Sequence, residues 1–202
     1  APALGHRAVL TDVGSVKLPV RKAVERAGLR AAFVGGHPLA GTEGSGIESA
    51  DPRLFEGAVW VLCPGPNPPP DSIEEVSRIV RAVGATPYVL DEEVHDRVVA
   101  ATSHLPYGIA AALVLLARGH APLAWTLAAG SFRGATRVAR SDVRMTAEML
   151  WANRQNVLKE LASFREHLKI ISVALEAPDM GLLENILAEA RKTMDESLPK
   201  RP

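Results

Sequence analysis

The spacing of apolar residues changes at about residue 90, and this change constrains the fold more than any other feature of the chain. Before it, short apolar runs bounded by Gly, Pro or Asp alternate with segments of helical periodicity. The runs cover 7–13, 31–36, 58–64 and 86–90. Strands that alternate with helices are typical of a largely parallel sheet. We therefore predict an α/β domain over residues 1–90.

After residue 91 the strand pattern ends and Ala- and Leu-rich helical periodicity replaces it. The predicted helices cover 93–118, 122–139, 142–176 and 180–197. We therefore predict an all-helical domain over residues 91–202. Long helices in so small a domain leave apolar faces that one copy cannot cover, which favours a helix-mediated homodimer. A closed monomeric bundle is the alternative.

The composition excludes several classes of protein. Lys plus Arg and Asp plus Glu number 23 each in 202 residues, so no net charge attracts nucleic acid or an acidic membrane. The single cysteine, Cys63, excludes an internal disulfide, and the six histidines lack metal-ligand spacing. The longest apolar run, 109–117, is shorter than the roughly 20 residues of a membrane span. We predict a soluble cytoplasmic protein without a metal.

The stretch VLTDVGSVKLPV, residues 9–20, marks a candidate site. An apolar strand runs to Asp12, turns at Gly14, exposes the hydroxyl of Ser15 and continues as a helix. In α/β proteins ligands bind at the carboxyl ends of parallel strands. Asp12, Gly14 and Ser15 are therefore predicted to face a ligand.

The segment GGHPLAGTEGSGIESADPRLFEG forms a loop long enough to be functional. Gly35 and Gly36 are expected to turn the chain sharply and to place His37 at the carboxyl end of a strand. Because neighbouring parallel strands end at the same edge, His37 is expected near Ser15. A lone histidine is more often structural, but its place at this edge favours a functional role.

Two polar clusters interrupt the helical half. Ser103 and His104 lie in an otherwise apolar helix, where burying each without a partner costs about 1–3 kcal/mol. Arg137 lies between apolar neighbours in GSFRGATRVARSDVR, a setting that suits a planar clamp for a carboxylate. The spacing places Arg133, Arg137, Arg140 and Arg144 in one row.

The arginine row is expected to break after Arg140, because Ser141 and Asp142 form a new helix start. For Arg140 and Arg144 a solvated face is the favoured interpretation. Other chemistries are excluded, because the sequence has no G-x-S-x-G elbow, P-loop, H-E-x-x-H or basic patch interleaved with aromatics.

Seven motifs occur along the chain in this order: TDVGSVK, GGHPLAGTEGSGIE, LFEG, HD, TSHLP, GSFRGATRVARSD and ANRQNVL. Together they resemble the prephenate dehydrogenases of tyrosine biosynthesis. The matches run from about residue 8 to residue 160. The resemblance implies a Rossmann-type NAD-binding domain, a helical dimerisation domain and NAD as the cofactor. It implies the oxidative decarboxylation of prephenate to 4-hydroxyphenylpyruvate.

The resemblance also implies roles for individual residues. His37 corresponds to the catalytic histidine that takes the proton of the substrate's ring hydroxyl, and Ser15 assists it. Arg137 corresponds to the arginine that binds a substrate carboxylate. The rest of the substrate wall is implied to be Thr42, Glu43, Ser103, His104 and Arg133.

The sequence departs from the family pattern in two ways. Four positions differ from the residues that are common around the family's substrate pocket, which leaves both prephenate and arogenate open as substrates. These positions are Tyr107, Gly134, Val143 and Thr146. The glycine-rich turn G-x-G-x-x-G is missing, so the chain is expected to be the carboxyl-terminal part of the enzyme. Asp12, Gly14 and Ser15 are then expected to shape only the nicotinamide end of the NAD site. A catalytically incomplete dimerisation module is the alternative.

Overall fold

The computed structural model describes residues 8–28, 31–42, 44 and 46–197. The chain forms two compact units, Ala1–Val157 and Leu158–Pro202. The first unit contains the whole sheet and most of the helices, and every site described below lies within it.

Four strands form one sheet in the order β1-β2-β3-β4. Their bounds are Val9–Thr11 for β1, Ala32–Pro38 for β2, Val59–Cys63 for β3 and Thr86–Val89 for β4. β1 and β2 pair in parallel, as do β3 and β4. An α/β part followed by helices is confirmed.

The central strand pair differs from the predicted parallel arrangement, because β2 and β3 are antiparallel. In the described part of 39–58, the one helical element is the 3-10 turn Ile47–Ser49. A parallel pair is usually joined by a crossover helix, and the described residues of this connection contain no α-helix. His37, near the end of β2, lies opposite Val61, in the middle of β3.

The sheet carries the first helices and the core. The helix α1 covers Leu18–Arg26 and α2 covers Ser72–Ala82. Val34, Leu62 and Val80 are at most 1% exposed and pack together. Asp71 precedes α2 with a φ of 65°, and its side chain makes no cap bond. The hydroxyl of Ser72 instead donates to the carbonyl of Pro69 at 2.7 Å.

Gly35 and Gly36 lie inside β2 and do not turn the chain, so that expectation is wrong. A Cβ on Gly36 would collide with the backbone carbonyl of Asp12 and would lie 2.9 Å from Nε1 of Trp60. The glycines are needed because neighbouring groups approach the strand closely. His37 is nevertheless next to the last residue of β2, as predicted.

Seven further helices follow the sheet in the described residues. They are α3 Glu92–Val99, α4 Leu105–Arg118, α5 Leu123–Leu127, α6 Gly130–Thr136, α7 Val143–Ala152, α8 Arg154–Glu176 and α9 Gly181–Ser197. A π-helical turn, Ala100–His104, joins α3 to α4. Asp142 begins α7 as predicted, accepting a hydrogen bond from the backbone N–H of Met145 at 2.7 Å.

The combined helix Glu92–Arg118 is 27 residues long, with a mean hydropathy of 1.6 in its most apolar part. By length and composition alone it is long and apolar enough to cross a membrane. The prediction of no such segment considered only the uninterrupted run 109–117. Polar residues inside this helix, His95, Asp96 and His104, are buried against other parts of the first unit.

Candidate active site

A cavity of about 680 Å³ opens where β2 ends beside the helices. Five of the predicted site residues line it together: Ser15, His37, Thr42, Ser103 and Arg137. Its other walls are mostly apolar, with Val59, Val61 and Met149 among them. A largely apolar cavity with a few convergent polar groups is the usual form of a small-molecule site.

His37 stands at the head of a buried chain of hydrogen bonds. Its Nδ1 lies 2.8 Å from Nε2 of His95. Nδ1 of His95 lies 2.8 Å from Oδ1 of Asp96. The exposed fractions of the three residues are 8%, 0% and 2%. Because water has almost no access to these groups, the positions of their protons are set by the hydrogen bonds among the three residues.

The protein fixes the direction of this chain of bonds. The carboxylate of Asp96 accepts from the backbone N–H of Lys17 at 2.8 Å and of Leu18 at 2.9 Å, at the start of α1. Both oxygens are therefore acceptors, so Nδ1 of His95 must donate. In the tautomer of His95 that carries its one proton on Nδ1, Nε2 is the acceptor, and it accepts from Nδ1 of His37. The remaining nitrogen of His37, Nε2, keeps a lone pair.

Burial keeps the two site histidines neutral. Burial, together with the neighbouring His95 and the ammonium of Lys17, lowers the pKa of His37 to about 3. Burial also lowers the pKa of His104 to about 4, although Asp96 opposes this. A neutral imidazole is the form that accepts a proton, so His37 is present as a base at neutral pH.

A buried lysine organises the turn that follows β1. Lys17 is 1% exposed, and its Nζ donates to Oδ2 of Asp12 at 2.5 Å and to the carbonyl of Gly36. Asp12 also accepts from the backbone N–H of Gly14 and of Gly36, each at 2.9 Å. The carboxylate of Asp12 thus binds its own turn, and this turn presents Ser15 to the cavity.

The predicted arginine residues are distributed over more than one place. Arg137 lines the His37 cavity and also a second cavity of about 820 Å³. Arg133 and Arg140 line only the second of these two, and Nε of Arg133 donates to the carbonyl of Ala128 at 3.1 Å. Arg144 is exposed and pairs with Glu148 at 2.9 Å, as expected for a solvated face.

Another predicted residue of the substrate wall, His104, does not line this cavity. His104 is fully buried and follows Ser103, which lines the cavity. Glu43 lies outside the described residues. Among the described residues, no group of three or more His, Cys, Asp or Glu is placed to hold a metal ion.

Sequence reasoning missed four residues of this site: Lys17, His95, Asp96 and Asn153. The pair His95-Asp96 was visible as the motif HD at the start of the helical half. Its contact with His37 joins residues 58 positions apart, which no local pattern reveals. The signal that the sequence offered was a charged or polar residue inside an apolar helix, because such a residue is costly to bury without a partner.

The buried histidines predict how the stability of the fold changes with pH. Above pH 6.5 both rings are neutral in the folded and the unfolded chain and contribute nothing. Between pH 6.5 and about 4 the unfolded chain takes up protons that His37 and His104 resist. The free energy of unfolding should therefore fall with falling pH, by at most about 1.4 kcal/mol per pH unit for each ring.

Denaturant unfolding at pH 7, 6 and 5 measures this dependence. The variant His104→Gln should show a shallower pH dependence than the unmodified chain, whatever its stability at pH 7. His120→Gln, at an exposed histidine, serves as the matched control and should keep the original slope. An unchanged slope in His104→Gln would show that this ring does not resist protonation.

Two family models match the chain. The nucleotide-binding domain of prephenate dehydrogenase matches residues 1–89, and the dimerization domain of prephenate dehydrogenase matches residues 91–189. A prephenate dehydrogenase from Lactococcus lactis is 32% identical over 91% of the chain. A cyclohexadienyl dehydrogenase from Zymomonas mobilis is 33% identical over 95% of the chain. The chain spans 51% and 67% of these two relatives.

Solved structures give the same assignment. Synechocystis arogenate dehydrogenase superposes with a TM-score of 0.83 at 30% identity, over 98% of this chain and 72% of that one. Prephenate dehydrogenase from Aquifex aeolicus, solved with hydroxyphenyl propionate and NAD+, gives 0.83 at 31% identity, over 95% of this chain and 68% of that one. The chain belongs to the prephenate dehydrogenase family.

Proposed function

We propose that this chain carries the substrate side of an NAD-dependent prephenate dehydrogenase, which converts prephenate to 4-hydroxyphenylpyruvate and CO2. The observation that carries the proposal is the pair of buried contacts that joins Asp96 through His95 to His37, at a cavity that Arg137 also lines. One group accepts a proton, the other binds a carboxylate, and this reaction needs both.

His37 is proposed as the catalytic base. Its Nε2 accepts the proton of the ring hydroxyl as the carbinol carbon is oxidised to a carbonyl. The positive charge that forms on His37 is stabilised through Nδ1–H, the ring of His95 and the carboxylate of Asp96. Loss of the ring carboxylate as CO2 then makes the ring aromatic and leaves the ring oxygen as a phenolate, which takes the proton back from His37. Because aromatisation drives this step, the protein mainly orients the reacting groups.

NAD fits this chain at one end of the cofactor. When bound, it supplies the two-electron acceptor of the reaction. The turn that holds Gly14 and Ser15 lies at the wall of the His37 cavity, and we assign the nicotinamide end to it. We assign no residue of this chain to the pyrophosphate, because none of its glycines forms the G-x-G-x-x-G pattern.

Substrate contacts are proposed for the polar residues of the cavity wall. Arg137 offers a planar fork for a carboxylate of the substrate. Ser15, Thr42 and Ser103 supply hydroxyl groups on the same cavity. We keep Glu43 as a proposed contact from the family resemblance. We place Arg133 at the second cavity, which Arg137 also lines.

Arogenate is the second candidate substrate, because a solved relative of equal TM-score is an arogenate dehydrogenase. Arogenate carries an amine where prephenate carries a keto group. The test is to incubate the purified full-length protein with NAD and each substrate, and to measure cofactor reduction and CO2 release. We expect a higher kcat/KM for prephenate. Faster turnover of arogenate would reassign the substrate, and no turnover of either would refute the proposed function.

The Arg137 clamp makes a separate prediction. Arg137→Ala should raise the KM for prephenate at least tenfold while changing kcat much less, because a carboxylate contact is made in the ground and transition states alike. Arg137→Lys should restore the KM only partly, since lysine lacks the planar fork. Arg144→Ala, at an exposed arginine, is the control. An unchanged KM in Arg137→Ala would show that Arg137 does not bind a carboxylate of the substrate.

We further propose a homodimer, a cytoplasmic location and a role in tyrosine biosynthesis. The family model over 91–189 describes a dimerization domain. Large apolar side chains are exposed on α8 and α9 of the second unit: Leu161, Leu168, Ile170, Val173, Leu175, Leu182, Leu187 and Met194. A second copy that covers such faces removes apolar area from water. We place the boundary between the two domains at about residue 90, where the two family models meet.

A further inference from the structure

The helix α3 carries His95 and Asp96, and it is attached to its surroundings at two points that lie one helical turn apart. At the first point, the carboxylate of Asp96 accepts from the backbone N–H groups of Lys17 and Leu18, at the start of α1. The backbone carbonyl of Asp96 lies 2.6 Å from Nδ2 of Asn153, at the end of α7. This point is made by residues of the candidate site itself.

The second point is a largely buried ion pair outside the His37 cavity. Nε of Arg21 donates to Oε1 of Glu92 at 2.7 Å, and the exposed fractions of the two side chains are 14% and 9%. Nη2 of Arg21 also donates to the backbone carbonyl of Cys63 at 3.3 Å. The guanidinium lies over the ring of Phe33, 5.0 Å from its centre. Removing one partner of a buried pair leaves an uncompensated charge, so this contact resists separation.

The two points match each other along the two helices. Arg21 follows Lys17 by four residues at the start of α1, and Glu92 precedes Asp96 by four residues on α3. Residues four apart lie on the same face of a helix, so one face of α1 holds one face of α3 at both points. With the Asp96 contact alone, α3 could still turn about that point. The ion pair removes this freedom.

His95 lies between the two points and depends on both. It follows Glu92 by three residues and directly precedes Asp96. Its Nε2 reaches Nδ1 of His37 at 2.8 Å. Because a side chain projects from the helix axis, a small turn of α3 moves the ring of His95 further than the backbone. Hydrogen bonds weaken steeply when misaligned, so the contact with His37 is sensitive to the orientation of α3.

We propose that Arg21 is a positioning residue for the base: its ion pair with Glu92 fixes the orientation of α3, and this keeps His95 within hydrogen-bond distance of His37. The ion pair joins the region that matches the nucleotide-binding domain, 1–89, to the region that matches the dimerization domain, 91–189. The inference rests on the proposed function for its effect on catalysis, but the position of His95 is independent of that function.

Arg21→Met tests the positioning role, because methionine keeps an unbranched stem beside Phe33 but cannot pair with Glu92. We expect kcat for prephenate to fall about 10- to 100-fold, since misplacement of a catalytic group by about 1 Å costs up to about 100-fold. The KM should change little, because Arg21 does not line the His37 cavity. Steady-state kinetics of the purified full-length protein measure both constants. Normal kcat in Arg21→Met would overturn the proposal.

Two further variants separate positioning from a loss of stability. Arg81→Met, the matched control, breaks the exposed ion pair of Arg81 with Glu74 and should leave both constants unchanged. The double variant Arg21→Met, Glu92→Leu removes the unpaired buried charge, and a replacement of this kind often restores stability. Its kcat should nevertheless stay low, because apolar contacts are non-directional and do not fix the orientation of α3. Recovery of both stability and kcat in the double variant would overturn the proposal.

A second measurement needs no catalysis. Buried, hydrogen-bonded N–H protons exchange slowly with water, so the Nδ1–H proton of His37 should give an NMR signal in the unmodified chain. Arg21→Met should weaken or remove this signal, and Arg81→Met should keep it. An unchanged signal in Arg21→Met would overturn the proposal. Absence of prephenate turnover by the unmodified protein, together with loss of the signal in Arg21→Met, would refute the proposed function alone.

Arg21→Lys makes the same test if Arg21→Met does not fold. Lysine keeps a charge for Glu92 but lacks the planar fork that also reaches Cys63, so kcat and the His37 signal should both fall in part. Normal values of both in Arg21→Lys would then overturn the proposal.

Discussion

His37→Asn should lower the turnover of prephenate about 10²- to 10⁴-fold, the usual contribution of a general base, while leaving its KM nearly unchanged. The amide NH2 of asparagine stands close to the place of Nδ1, so the donor to His95 is kept. The group at Nε2, which we propose takes the hydroxyl proton, is lost. Steady-state kinetics of the active enzyme measure both constants.

The control for His37→Asn is His120→Asn, at an exposed histidine two residues beyond α4. It makes the same chemical change away from the cavity and should leave both constants unchanged. Near-normal turnover in His37→Asn would remove His37 from the mechanism. A large rise in KM with normal turnover would make it a binding residue.

Asp96→Asn should lower turnover to a similar extent, although Asp96 does not line the cavity. Asparagine is neutral, so the positive charge that forms on His37 would lose the carboxylate at the end of the hydrogen bonds from His37 through His95. Its single oxygen also cannot take the place of both carboxylate oxygens, which accept from the backbone N–H groups of Lys17 and Leu18. Replacing the aspartate by asparagine costs about 10⁴-fold in a comparable Asp-His pair.

Asp91→Asn is the matched control for Asp96→Asn. Asp91 begins the same helix α3, and its side chain accepts from the backbone N–H groups of Glu93 and Val94. Asparagine caps a helix about as well as aspartate, so this change should affect neither stability nor turnover. If Asp96→Asn folds with native stability and normal turnover, the hydrogen bonds from Asp96 through His95 to His37 do not determine how His37 acts as a base.

Apolar periodicity predicted the elements of the fold because each depends on near neighbours. The helix over 72–82 and the start of α7 at Asp142 agree with the structure. The antiparallel pairing of β2 with β3 did not follow from periodicity. Buried parallel and antiparallel strands have the same apolar runs, and the deciding feature was the missing crossover helix.

The candidate site was predictable only in part. His37, Ser15 and Arg137 each lie in a motif that carried a local signal, and the structure places all three on one cavity. The partners that orient His37 lie far away in the sequence: His95 is 58 residues from His37, and Asp96, which binds His95, is 79 residues from its other partner Lys17. The direction of a hydrogen bond depends on both partners, so no single motif predicts it.

The claim that His37 offers its Nε2 lone pair to the cavity is tested most directly by the ring 15N shifts of His37 at pH 7. The structure predicts a protonated Nδ1 and an unprotonated Nε2 in the unmodified chain. A proton on Nε2 of His37 in the unmodified chain would contradict this, because the nitrogen facing the substrate would then be a donor and not a base.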